Sequence, residues 1–92
     1  MQIRFEWDTA KAASNVRKHG VSFDEAGSVF LDQLAVSGLD LDHSVGESRY
    51  LTFGMSSLGR LLAVSHTYRP GIIRIISARR VTRTERKIYE EG

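Results

Sequence analysis

The sequence predicts an α+β domain in the order β-α-α-β-β-β-β-α, with helices packed on an antiparallel sheet. Three observations predict it. Two helical segments with clear caps follow a short alternating stretch at the start. From about Leu34 the hydrophobic period drops to two, with glycine and proline marking turns. A T-x-x-E signal then opens a last helix. Ninety-two residues with 41% hydrophobic content suffice for one modest core, so residues 1–92 read as a single domain.

In QIRFEW, Ile3 and Phe5 alternate with Gln2, Arg4 and Glu6, the pattern of a half-buried strand. Asp8 caps the first helix, with Trp7 and Ala12 placed as a hydrophobic staple. Arg17, Lys18 and His19 suit its negative C-terminal end, Gly20 supplies a left-handed stop, and Val21 is positioned to fold back on Val16. Ser22 and Glu25 form a capping box for a second helix whose apolar face is Phe23, Ala26, Val29 and Phe30. LAVSG, SRYLTFGM, RLLAVSHTYR and IIRIISAR then read as four strands of an antiparallel meander, with DLDHSVGES an acidic loop between the first two. Thr82 and Glu85 make the capping box of the last helix, which runs to about Glu90.

Composition excludes several classes. Without cysteine there is no disulfide and no thiolate chemistry, and no apolar run approaches the ~20 residues of a membrane helix, so a cytoplasmic protein is expected. Three scattered histidines offer no metal-binding spacing, and no phosphate-binding glycine loop or nucleophile elbow is present. The net charge is only +2, yet seven basic residues and one acid lie between Arg69 and Lys87. That cluster suits a phosphate-rich ligand or an acidic protein, or else a solvated helix face and strand end.

Two-residue turns at Leu58-Gly59 and Pro70-Gly71 would pair Phe53 with Val64, Met55 with Leu62, Tyr68 with Ile73 and His66 with Ile75. One face then carries Leu51, Phe53, Met55, Leu62, Val64, Ile73 and Ile75 as core. The other carries Thr52, Ser65, Thr67, Arg69 and Arg74, with Gly54 and Ala63 leaving room above an open polar platform. Arg79 shares parity with the core face and escapes to solvent at the strand end. Guanidinium groups among hydroxyls hold a phosphate bidentately; the alternative for Arg74 is a cross-strand salt bridge to Glu6. His66 reads either as a proton-transfer group or as a half-buried histidine bonded to backbone, and His19 as a helix cap. Trp7 is mostly core with its indole edge free. With Arg, Lys, His, Tyr and Glu as the available groups, the set suits cofactor-free RNA cleavage by the substrate's own 2′-OH.

At FEWDTAKAASNVRKHGVSF and GRLLAVSHTYRPGIIRIISARRVTRTERKIYE the chain strongly resembles the BrnT family of bacterial type II toxins. The pattern F-E-W-D-x-x-K, N-x-x-K-H-G-V-x-F, R-I-I-S-A-R and E-R-x-x-Y falls on Phe5 to Lys11, Asn15 to Phe23, Arg74 to Arg79, and Glu85, Arg86 and Tyr89. Thr9 and Gln33 depart from it, where prolines are common. The resemblance implies a RelE-like, metal-independent endoribonuclease without cofactor that blocks translation. Its implied partner is a BrnA-like antitoxin in a 2:2 assembly, with DNA contacted only through the antitoxin. By that analogy Arg74 and Arg79 are phosphate and transition-state ligands, with Lys18, Arg69 and Arg80 as further backbone contacts. Thr67 and Trp7 are further substrate contacts, and His66, Lys18 and Glu85 are the proton-transfer candidates. The contrasting reading is a non-catalytic nucleic-acid- or protein-binding module built on the same basic face.

Overall fold

The structure is a computed structural model that describes residues 3–92; Gln2, which the first expected strand includes, lies outside them. The strands are β1 (Arg4–Glu6), β2 (Val36–Leu39), β3 (Tyr50–Met55), β4 (Leu61–Arg69) and β5 (Ile72–Arg80). The helices are α1 (Thr9–His19), α2 (Phe23–Ser28) and α3 (Arg83–Glu91). Short 3-10 turns follow α2 at Val29–Leu31 and β2 at Leu41–His43, the second inside the expected acidic loop. Among the described residues no helix is long and apolar enough to cross a membrane.

The caps form where local chemistry places them. Asp8 accepts the Lys11 amide at 3.0 Å, and Gly20, at φ 66°, ends α1. Ser22 caps α2 through the Glu25 amide, but the box is only half made. The Glu25 carboxylate turns inward to Arg60 and Ser56, and Arg60 also reaches the carbonyl of Gly20. Thr82 and Glu85 complete their box in both directions. Val21 is buried in the core, and Val16 is about half exposed.

The sheet runs β1-β5-β4-β3-β2 and is mixed, which corrects the antiparallel expectation: β1 lies parallel to β5, pairing Phe5 with Ile73 and Glu6 with Arg74. The chain leaves β1 through two helices and three strands before β5 returns beside it, and no local pattern encodes that pairing. β2 to β5 do form the antiparallel meander.

Register corrects the faces. The β3–β4 turn spans Ser57 to Gly59, three residues rather than two, with Gly59 at φ 75° and Ser56 donating to the Arg60 carbonyl at 2.8 Å. Phe53 therefore faces Ala63, and Met55 faces Leu61. Every side chain of β3 changes side relative to the expectation. Leu51, Phe53 and Met55 sit on the α3 side; Thr52 and Gly54 sit under the 3-10 turn, where a Cβ on Gly54 would come within 2.6 Å of Val29. The Pro70-Gly71 turn holds as expected, with Tyr68 facing Ile73, Thr67 facing Arg74 and His66 facing Ile75. Beyond it Ile76 is unpaired: Ser65 faces Ser77 while the next residue, His66, faces Ile75.

The core gathers Val21, Phe23, Ala26, Val29, Leu62, Val64, Ile73, Ile75 and Ala78 between α1, α2 and the sheet, with Trp7, Ala12 and Phe30 at its margin. β1 covers only Ile72–Arg74, so the edge of β5 beyond it needs another partner. Asn15, buried in α1, supplies it. Its Nδ2 donates to the carbonyls of Ala78 (2.8 Å) and Val21 (2.9 Å), and its Oδ1 accepts the Ala78 amide at 3.1 Å. One side-chain amide thus stands in for a strand. Replacing Asn15 by Leu keeps the volume and leaves these buried groups unpaired, at about 1–3 kcal/mol each. Urea unfolding should show a loss of at least about 2 kcal/mol; a midpoint equal to wild type would mean that the clamp contributes nothing.

Candidate nucleic-acid interface

The bulge at Ile76 sets the electrostatics of the sheet. Ala63, Ser65 and Thr67 alternate regularly on one side of β4 and face Arg79, Ser77 and Arg74 in turn. Arg79 therefore shares the face of Arg74, which corrects the parity expected of it, and Ala78 turns into the core in its place. Arg69 closes the same face at the end of β4. The platform is not open, however. Ala63, Ser65 and Thr67 are buried, and Thr67 Oγ1 has no partner, so Thr67 is a floor residue rather than a substrate contact.

Arg69, Arg74 and Arg79 each have a carboxylate, whereas Arg4, on the side of Glu6 in β1, makes no ion pair among the described residues. Glu6 takes Arg69 at 3.0 Å and Arg74 at 3.4 Å, and Arg69 also lies 3.6 Å from Glu47. The cross-strand pair weighed for Arg74 thus exists. Both partners are partly exposed, in the range where such pairs contribute only about 0–1 kcal/mol and yield to a better anion. Arg79 is held more firmly: its two Nη groups donate to the two oxygens of Glu85 at 2.7 and 2.9 Å. Arg79 holds the Glu85 carboxyl below its usual range, and the Thr82 amide adds to this. Glu85 is therefore an ionised clamp with both oxygens engaged, poorly suited to carrying protons. Nε remains on Arg79 as a donor for a phosphate.

His66 lies on the opposite face, fully buried, and cannot meet a substrate held by Arg74. Thr52 Oγ1 lies 2.7 Å from Nε2 and in turn 2.7 Å from Ser37 Oγ, while Nδ1 has no partner. Phe30 and Tyr68 meet the ring edge-on at 4.8 and 4.9 Å, and Tyr50 stacks at 6.1 Å. Its bond goes to a side chain rather than to backbone, and burial pushes its pKa down to about 4. Trp7 meets Phe23 edge-on at 5.9 Å and is half-buried against the core. Arg80 is exposed at the strand end, on the parity of Leu62, where its charge acts on Glu25. Lys18 stands across the free edge of β5 with Lys11, His19 and Ser77. Sequence reasoning passed over Lys11 and Ser77 and took His19 for a cap. The signal was there in α1, since Lys11 and Lys18 are seven residues apart and share one side of a helix. Among the described residues no three His, Cys, Asp or Glu side chains converge as a metal site.

A small α+β domain with a guanidinium-lined sheet face and a lysine-lined edge is of the class that engages polyanions. The comparisons narrow that class: residues 7–85 match the family described as the ribonuclease toxin, BrnT, of type II toxin-antitoxin systems, and the chain belongs to that family. The fold also matches the crystal structure of the Brucella abortus ribonuclease toxin, BrnT. The TM-score is 0.66 at 20% identity, covering 89% of this chain and all of that one. Among curated proteins none matches. Membership implies endoribonuclease activity, an RNA substrate and an antitoxin partner.

The sealed histidine makes stability depend on pH. Its unfolded imidazole ionises near 6.5 and its folded one near 4, so the unfolded chain binds more protons between them. The contribution is complete above pH 6.5, falls as the pH drops, and is gone below about 4. Between pH 7 and 5 the wild type should lose about 2 kcal/mol more than His66→Gln in urea unfolding. Parallel losses in the two proteins would show that His66 is not the group responsible.

Proposed function

We propose that this chain is a metal-independent endoribonuclease toxin with RelE-like chemistry, which acts in the cytoplasm and inhibits translation by cutting RNA. A BrnA-like antitoxin neutralises it in a 2:2 assembly that reaches DNA only through the antitoxin. One observation carries the catalytic reading: the Ile76 bulge brings Arg79 onto the face of Arg74, so that guanidinium groups from β4 and β5 line one surface.

In this reading the RNA 2′-oxygen attacks the adjacent phosphorus, the P–O5′ bond breaks, and the products are a 2′,3′-cyclic phosphate and a 5′-hydroxyl. The nucleophile belongs to the substrate, so no activated water is required. Arg74 and Arg79 stabilise the charge that grows on the non-bridging oxygens, Arg69 holds the backbone on the same face, and Arg80, on the parity of Leu62, reaches it only around the strand end. Glu85 is a positioning residue that fixes the plane of Arg79. Among the proton-transfer candidates His66 is sealed and Glu85 is spent on its clamp, while Lys18, an exposed ammonium, stands at the β5 edge and serves the RNA backbone rather than the scissile bond. A docking module would show the same carboxylate-paired arginines, and catalysis separates the two.

Purified protein should cut RNA in EDTA and leave 2′,3′-cyclic phosphate ends, and its induced expression should arrest growth unless the antitoxin is present. Metal-dependent cleavage leaving 5′-phosphates would remove the 2′-OH mechanism. Arg74→Ala should unfold within about 1 kcal/mol of wild type, yet cleave roughly a hundredfold more slowly. Arg74→Lys should recover only part of the rate, because it restores charge without the planar fork. A folded alanine variant with full activity would leave Arg74 a purely structural role.

A further inference from the structure

β5 loses its β1 partner after Arg74, and from Ile76 onward its outer edge faces α1. Asn15 closes that edge at Ala78. Beside it a cleft of about 160 Å³ opens, whose polar lining includes Lys11, Ser14, Lys18, His19 and Ser77. No acid is among the lining residues. Lys11 and Lys18 project from one side of α1, two turns apart, and both are exposed. Neither makes an ion pair among the described residues, whereas Arg69, Arg74 and Arg79 are all paired. The cleft therefore offers two ammonium groups that no carboxylate holds in an ion pair, in contrast to the guanidinium groups of Arg69, Arg74 and Arg79.

The cleft is continuous with that face. Ser77 lies between Arg74 and Arg79 along β5 and shares their side. At its other end Asp8 accepts the Lys11 amide, which holds the Asp8 carboxyl below its usual range. The Lys11 and Arg74 charges add smaller shares. The volume is below the ~300–1,000 Å³ of small-molecule sites, so the cleft takes one compact group rather than a whole nucleotide. Two ammonium groups and two hydroxyls with no acid suit a tetrahedral oxyanion.

We infer that this edge cleft is a phosphate subsite for an RNA linkage neighbouring the one that is cut, with Lys11 and Lys18 as its charged ligands and Ser14 and Ser77 as hydroxyl donors. The assignment deepens the ribonuclease reading and rests on it for the location of the cut. It turns the α1–β5 edge into a second rail that sets which phosphate reaches Arg74 and Arg79.

The test is binding of a short, uncleavable 2′-O-methyl oligoribonucleotide, followed by fluorescence anisotropy over a salt series. The double variant Lys11→Ala/Lys18→Ala should bind about tenfold or more weakly. Its plot of log affinity against log salt should be shallower by roughly 1.4, for two lost contacts to a single strand. Neutralising one linkage at a time as methylphosphonate should reveal one position at which wild type weakens and the double variant does not. Arg74→Ala should be insensitive at a different position. Lys→Arg at both sites should restore binding, and circular dichroism should match wild type throughout. Unchanged affinity in the double variant overturns the assignment, as does a loss that is equal whichever linkage is neutral. Unchanged RNA binding with lost binding of an acidic peptide would give the cleft to a protein partner instead. If wild type cuts no unmodified RNA, the ribonuclease reading falls on that result alone, because the subsite is read on RNA that cannot be cut.

Discussion

Between Arg74 and Arg79, β5 carries one residue more than β4 can pair, and the rest of the molecule is arranged around that mismatch. A regular strand would send Arg79 under the helices and Ala78 out to solvent. With Ile76 left over, Ala78 fits against Val64 in the core and Arg79 joins Arg74 on the other side. The bulge needs stabilising, because β1 has ended and the outer edge of β5 would otherwise be bare. Asn15 supplies the missing donor and acceptor at Ala78 and ties α1 to the strand. The device that aims the arginines is thus the same one that positions Lys11 and Lys18 alongside them.

Charges are handled in two ways on the two sides of that edge. On the sheet face, Glu6, Glu47 and Glu85 hold guanidinium groups in place, so the arginines are preorganised but nearly neutralised as a group. Along α1, Lys11 and Lys18 make no ion pair among the described residues. A polyanion approaching such a surface is drawn first by these ammonium groups and then meets the fixed forks. Long-range attraction and short-range geometry are thereby assigned to different residues.

Local chemistry was legible in the sequence, and pairing across the chain was legible only where a turn fixed it. Asp8, Gly20, Ser22 and Thr82 announce their helix ends because a cap involves residues three or four apart. Pro70-Gly71 fixed the β4–β5 register as far as His66, and so put Arg74 on the correct face. The other turn, around Leu58-Gly59, holds one more residue than expected, and that difference moved Leu51, Phe53 and Met55 across the sheet. Arg79 was misplaced because a bulge has no signature in an unbroken apolar run such as IIRIIS. The parallel partner of β1 and the inward turn of Glu25 toward Arg60 depend on residues more than thirty positions apart, beyond the reach of any local pattern. His66 was read as a proton-transfer group or a half-buried histidine bonded to backbone, and neither reading holds, because its full enclosure and its bond to Thr52 draw on separate segments of the chain.

α3 contributes no buried residue, and it is tied down by Tyr89 donating to Asp32 at 2.6 Å, by its capping box and by Glu85 on Arg79. β4, by contrast, is buried from Leu61 to Thr67. Amide exchange with deuterated solvent should therefore divide the chain, α3 exchanging through its own fraying and β4 only through global opening. Glu85 sits in the first turn of the fraying element, and its grip loosens whenever that turn does. The occupancy of the clamp on Arg79 is then set by the local opening free energy of a nine-residue helix, and the stability of the core as a whole does not enter into it.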